Sequence, residues 1–245
     1  MKRRTFLAGS AFIILGMLFA LAMLLKPKIF HEEKRDEMKG GERLKLPEPS
    51  YESEVSIEKA ILLRRSRRRY RSNPITLKQL SQLLWAAQGI TERERGFRTV
   101  PSAGATYPLE VYVVVKSGGV EGLEAGIYHY LLKTHEIELV KLGDYSRDLM
   151  RASLNQEWVG AAPINLVINA VYERTTGYYG DRGVRYVHME VGHLGQNIYL
   201  QCISLGLSCV VIGAFDDEEV KQIVGGVGEP LYVIPVAVPV EPWKL

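Results

Sequence analysis

Residues 64–70 read Arg-Arg-Ser-Arg-Arg-Arg-Tyr, five guanidinium groups around one hydroxyl. Three partners call for that much positive charge in so short a run: nucleic acid, a membrane surface, or one small polyanion. A phosphate monoester offers up to two negative charges and three acceptor oxygens. Guanidinium groups bind it through paired N–H donors, and a serine hydroxyl adds a neutral donor. Two or three of these arginines with Ser66 would saturate one phosphate, and a solvated charged loop accounts for the same charge. A second stretch, Pro101-Ser102-Ala103-Gly104-Ala105, runs through Pro108 into the strand-like residues 110–115. Pro101, Gly104 and Pro108 make a stiff turn of small residues whose backbone amides can approach a flat ring closely. A bare loop remains the alternative reading.

Net charge narrows the choice. The 245 residues carry 31 Lys and Arg against 28 Asp and Glu. Setting aside Lys2, Arg3 and Arg4 leaves the body neutral. A nucleic-acid binder normally carries a broad basic face, so no nucleic-acid partner is expected. Cys202 and Cys209 lack nearby ligands at metal spacing and read as small buried side chains. His188 and His193 are five apart rather than four, so they read as packing or surface residues and no metal site is expected.

These stretches need elements to position them. Ser56 is placed to cap a helix through residues 57–65, and Thr76 with Gln79 forms a capping box ahead of Leu77, Leu80, Leu83, Leu84 and Ala87. Residues 126–142 alternate around a polar turn as a hairpin. Residues 164–172 are almost continuously apolar, as in a strand buried on both faces. Val187, Val191, Leu194, Ile198, Cys202 and Leu205 recur at helical spacing, with Gly192 and Gly195 near the seam and Gly206 closing the helix. Residues 208–215 read as a strand, 216–225 as a short helix and 230–239 as a last strand. Strands and helices mix without strict alternation, which predicts an α+β fold with a central sheet.

The first 50 residues read differently. Residues 6–25 are uncharged, and twenty residues at about 1.5 Å rise match a bilayer core of about 30 Å. Residues 2–8, Lys-Arg-Arg-Thr-Phe-Leu-Ala, resemble a twin-arginine export signal. The expectation is a signal or membrane anchor over 1–25, a solvated charged linker over 26–50, and a folded domain over 51–245 held outside the membrane.

Several segments in this order resemble the nitroreductase superfamily of flavoproteins, closest to its SagB/thiazole-oxidase type of dehydrogenase. They are residues 46–50, 64–70, 80–91, 101–115, 126–139, 179–200 and 205–215. The resemblance implies a sheet wrapped by helices, an intertwined homodimer, FMN at the subunit interface, and hydride transfer through flavin N5. It places Arg64, Arg65, Ser66 and Arg68 on the FMN phosphate, and Pro101, Ser102, Ala103, Gly104 and Ala105 beneath the flavin ring. Ile212, Gly213 and Ala214 match the turn facing the flavin. Heterocycle-oxidising members carry Lys-Tyr before Gly-Asp-Arg, where this chain has Tyr178-Tyr179. Tyr179 is therefore the catalytic candidate. A phenol, with an ordinary pKa of about 10, suits proton donation better than proton removal. The expected enzyme reduces a small acceptor such as a nitro group or quinone, with NAD(P)H a possible donor. Azoline oxidation on a peptide and a non-catalytic flavin-binding role are the alternatives.

Overall fold

The computed structural model describes residues 41–241. Its frame is a seven-stranded sheet, ordered β1-β6-β5-β4-β7-β9-β8, in which every neighbouring pair is antiparallel. The strands are β1 (Arg43–Lys45), β4 (Leu109–Val115), β5 (Gly126–Leu131), β6 (Glu136–Leu142), β7 (Ile164–Ala170), β8 (Ser208–Cys209) and β9 (Glu229–Ala237). A separate small hairpin joins β2 (Ile90–Glu92) to β3 (Phe97–Arg98).

Both faces of the sheet are covered, which explains the unbroken apolar run of β7. One face places Val111, Val113, Leu166, Ile168 and Ile234 against α2 (Leu77–Gln88) and α6 (Arg182–Ser204). On the other, Tyr112, Val114, Val167 and Val233 meet α3 (Ser146–Ala152), α4 (Glu157–Ala161) and α7 (Asp217–Val224). The remaining helices are α1 (Ile57–Leu63) and α5 (Glu173–Tyr179).

The sequence signals for the helix ends have direct structural counterparts. Ser56 accepts the Lys59 N–H, and the Thr76–Gln79 capping box is complete. Gly206, at φ 70°, ends α6, with the Leu207 N–H on Cys202 O at 2.7 Å and the Gly206 N–H on Ile203 O. This is the paired closure that a left-handed residue makes possible.

Three expectations need correction. Residues 43–50 are not a solvated tether. Leu44 and Leu46 share one face of a strand, Leu46 is 2% exposed, and β1 pairs with β6. Residues 208–215 do not form a full strand. After β8, only a single bridge between Ile212 and Val233 continues the pairing, and the Val211 N–H turns instead to the Tyr199 hydroxyl at 3.0 Å. The membrane-anchored location is also not upheld. Among the described residues no helix is long and apolar enough to cross a membrane. The apolar run and twin-arginine stretch that carried that expectation lie outside the described residues.

Candidate active site

The arginine run begins where α1 stops. Arg64 caps that helix, its N–H on Ala60 O. Beyond it the backbone is tied to the sheet edge: Arg67 N–H to Cys209 O at 3.0 Å, and Arg71 N–H to Val238 O at 2.9 Å. Tyr70 donates its hydroxyl to Arg67 O at 2.7 Å, and burial raises that phenol far above its ordinary pKa, so it stays neutral. The run is thereby rigid in its backbone while most of its side chains face outward.

Ser66 Oγ lies 2.7 Å from Tyr199 Oη on α6. Tyr199 Oη accepts the Val211 N–H, and either hydroxyl of the Ser66–Tyr199 pair can donate to the other; with Tyr199 as donor, the serine hydrogen is left for a third group. Arg64 stacks on the Tyr199 ring at 5.1 Å and Arg68 on the Trp158 ring at 5.3 Å. Stacking fixes a guanidinium plane while leaving its edge donors available. Arg65 turns back onto Leu62 O and Arg64 O. Among the described residues no carboxylate pairs with Arg64, Arg65 or Arg68. Tyr199 thus joins the run to residues 211–214, where Gly213 and Ala214 are exposed and Gln156 donates to Ala214 O at 2.8 Å.

The second stretch forms a tight turn over Ala103–Ala105. Gly104, Ala105 and Tyr107 have φ of 60°, 52° and 48°. Two non-glycine residues in this region cost about 1 kcal/mol or more each unless their surroundings enforce them. Here they do. Ser102 Oγ accepts the Tyr107 N–H at 2.9 Å, Thr106 bonds Ala103 O and Thr175, and Arg174 donates to Tyr107 O at 3.2 Å. Arg98 lies over the Tyr107 ring at 4.2 Å. Arg174 is held in turn by Glu110 at 2.6 Å, which also bonds His129 at 2.8 Å. Burial pushes the Glu110 carboxyl up, but the bonds from His129 and Arg174 outweigh it and hold it below the usual range.

Tyr179 reaches this turn. A Cβ on Gly104 would sit 2.7 Å from Tyr179 Oη, so the phenol packs where only glycine leaves room. Its ring stands edge-on to Tyr186 at 5.0 Å and to Tyr178 at 4.7 Å. Tyr178 is 74% exposed.

The predicted residues therefore form two clusters. Residues 64–68 meet 211–214 at Tyr199, and residues 101–105 meet Tyr179 at Gly104, with Tyr186 of α6 packed on Tyr179. On α6, Tyr186 and Tyr199 are separated by about 20 Å of rise and point to different sides of the helix. A cavity of about 700 Å³ between Tyr51, Trp85 and Leu200 shares no residue with either cluster.

Three contributors had no clear sequence signal: Tyr199, Trp158 and Arg98. A fourth, Glu190, did have one. It stands between Val187 and Leu194 on the inward stripe of α6, where a carboxylate is out of place.

The groups fit a cofactor that joins a phosphate monoester to a flat ring, such as FMN. The unneutralised arginines with Ser66 suit its phosphate, and the exposed Pro101, Gly104 and Ala105 surface suits a flat ring. A nitroreductase family model matches residues 61–238. The chain belongs to the nitroreductase family. This nitroreductase-family chain thus falls among oxidoreductases. It is 48% identical over 201 residues to a candidate nitroreductase of Methanocaldococcus jannaschii, covering 82% of this chain and all of that protein. The crystal structure of a candidate nitroreductase from Ralstonia eutropha superposes with a TM-score of 0.71 at 29% identity, covering 84% of this chain and 94% of the other. A chain of the Escherichia coli microcin synthetase McbBCD complex, solved with truncated pro-MccB17 bound, gives 0.62 at 25% identity, over 84% and 78% of the two chains. The likeness to this microcin synthetase chain agrees with the SagB-type segments noted in the sequence.

Proposed function

We propose that this chain is an FMN-dependent oxidoreductase that reduces a small acceptor, such as a nitro compound or quinone, at a site completed by two copies of the chain. The observation that carries the reading is the Ser66–Tyr199–Val211 chain of hydrogen bonds. It brings together Ser66 and Val211, 145 residues apart, from two segments that the family resemblance assigns to one cofactor. Arg64, Arg65, Ser66 and Arg68 bind the phosphate. Ile212, Gly213 and Ala214 present backbone beside it, and residues 101–105 form the opposing platform. When bound, FMN supplies hydride transfer at its N5.

The tyrosines beside the two clusters, Tyr186 and Tyr199, stand about 20 Å apart along α6 and on different sides of it, which favours a site shared between chains. Two copies related by a two-fold axis can offer one cluster each. Exposed Ile57, Ile61 and Leu62 on α1 and Val184 and Met189 on α6 supply apolar surface for such a dimer. Of the two glycines near the α6 seam, Gly192 has open space around it, whereas Gly195 is spent within the chain against Tyr232 and Val211. Tyr179, seated at the platform, donates a proton to the reduced acceptor. Azoline oxidation on a peptide is the weaker reading, because an exposed Tyr178 stands where a lysine base would be.

The direct test is spectroscopic. Purified protein mixed with FMN should retain equimolar flavin through gel filtration, be reduced by a reduced nicotinamide nucleotide or dithionite, and then pass electrons to a nitroaromatic or quinone. Retained flavin without turnover to either acceptor would make the chain a flavin-binding accessory. Absence of bound flavin would refute the proposal.

A further inference from the structure

Beneath the 101–107 turn lies a buried acid that the reading above does not use. Glu190 is 3% exposed, and its Oε1 has no hydrogen-bond partner. The facing Gln88 Nε2, on α2, is also unpartnered, while Gln88 Oε1 is taken by Arg98 of β3 at 2.9 Å. The groups that bear on Glu190 are the Ser102 hydroxyl from the turn, Arg98 and Gln88. Tyr107, Glu110 and Arg174 act on Arg98 in turn. Burial pushes the Glu190 carboxyl up to about 7, against the opposing pull of Ser102, Arg98 and Gln88.

Ser102 links this acid to the loop. Its Oγ already accepts the Tyr107 N–H, the bond that closes the strained turn. The serine hydrogen is then free to donate, and the Glu190 carboxylate is the charged acceptor beside it. Donation to a carboxylate polarises the hydroxyl and strengthens its hold on the Tyr107 N–H. We propose that Glu190 is a positioning residue for the flavin loop, fixing the 101–107 turn through Ser102 when ionised and releasing it when protonated, so that FMN affinity responds to pH near neutrality. The proposal rests on the FMN reading and extends it to a control element on the cofactor platform.

The sign for stability is opposite to that for binding. A carboxyl raised above its unfolded value favours the folded state when neutral, and that advantage is lost as pH rises from about 4.5 through about 7. Thermal stability of the flavin-free protein should therefore fall across this window in wild type and less so in Glu190→Gln.

FMN dissociation constants measured by fluorescence quenching between pH 5.5 and 8.5 test the proposal. The FMN phosphate's own second ionisation, near about 6, moves every variant alike. Beyond that shared slope, wild type should gain about tenfold or more in affinity through neutrality, the scale of one charge-assisted hydrogen bond. Glu190→Gln should lack the extra step. Ser102→Ala should lack it too, while keeping the pH-dependent melting that reports a buried Glu190; this variant decides the matter alone if Glu190→Gln does not fold. The wild-type step persisting in either variant overturns the inference and leaves the FMN reading intact. A wild-type protein that binds no FMN at any pH overturns both.

Discussion

Replacing Arg64 and Ser66 together by alanine should weaken FMN binding about a hundredfold while leaving riboflavin binding unchanged. Each lost hydrogen bond to a charged group is worth about 1.5–3 kcal/mol, and about 1.4 kcal/mol is a factor of ten. Two such losses would exceed a hundredfold in a sealed site. The run is open to solvent, and Arg65 and Arg68 remain, so the lower figure is expected. Riboflavin lacks the phosphate and isolates that contribution. The variant should stay folded, because the backbone ties to Cys209 and Val238 do not involve the altered side chains. Isothermal titration with both ligands measures the effect. Equal losses for FMN and riboflavin would mean that the run supports the fold rather than the phosphate.

Tyr179→Phe should leave FMN bound and slow oxidation of the reduced protein by a nitro or quinone acceptor about a hundredfold. A positioned general acid typically contributes that much or more. The ring packing against Gly104 and Tyr186 survives the substitution, so only the hydroxyl is removed. Stopped-flow mixing of dithionite-reduced protein with acceptor gives the rate. A solvent isotope effect present in wild type and altered in the variant would separate proton donation from a packing change. Unchanged rates would return Tyr179 to a purely structural part at the turn.

How much of this was legible in the sequence varied with the physics behind each feature. Local rules carried well: the Thr76–Gln79 box, the Ser56 cap, the Gly206 closure and the fully apolar β7 all depend on neighbours in the chain. The seam of α6 followed from its periodicity. The edge strand β1 escaped notice because Leu44 and Leu46 are only two apolar residues within a charged stretch, and their pairing partner lies about 95 residues away. Residues 208–215 looked like a strand because apolar content does not reveal that Val211 bonds a tyrosine instead of the ladder. The candidate site was marked by two short motifs, Arg-Arg-Ser and Pro-Ser-Ala-Gly-Ala, whose roles came from the family resemblance, since charge and spacing alone left a bare loop open for each. Tyr199, Trp158 and Arg98 join those motifs through contacts that span distant segments, and no local pattern announces them. Glu190 left a trace, an acid on an inward helical stripe, whose meaning depended on seeing Ser102 above it.

The central claim, one cofactor site assembled from two chains, is tested most directly by mixing two defective proteins. The first carries Arg64→Ala and Ser66→Ala, which disables the phosphate cluster. The second carries Gly104→Val, which drives side-chain carbon into Tyr179 and strains a residue at φ 60°, disabling the platform. Each alone should bind FMN poorly. After unfolding and refolding together, random pairing makes half of the dimers mixed, and each mixed dimer unites one intact cluster with one intact platform. About one site in four should then bind FMN with wild-type affinity. If both clusters instead served a flavin within a single chain, every site in the mixture would remain defective. Equilibrium titration of the refolded mixture would then show no tight-binding fraction at all, contradicting the account.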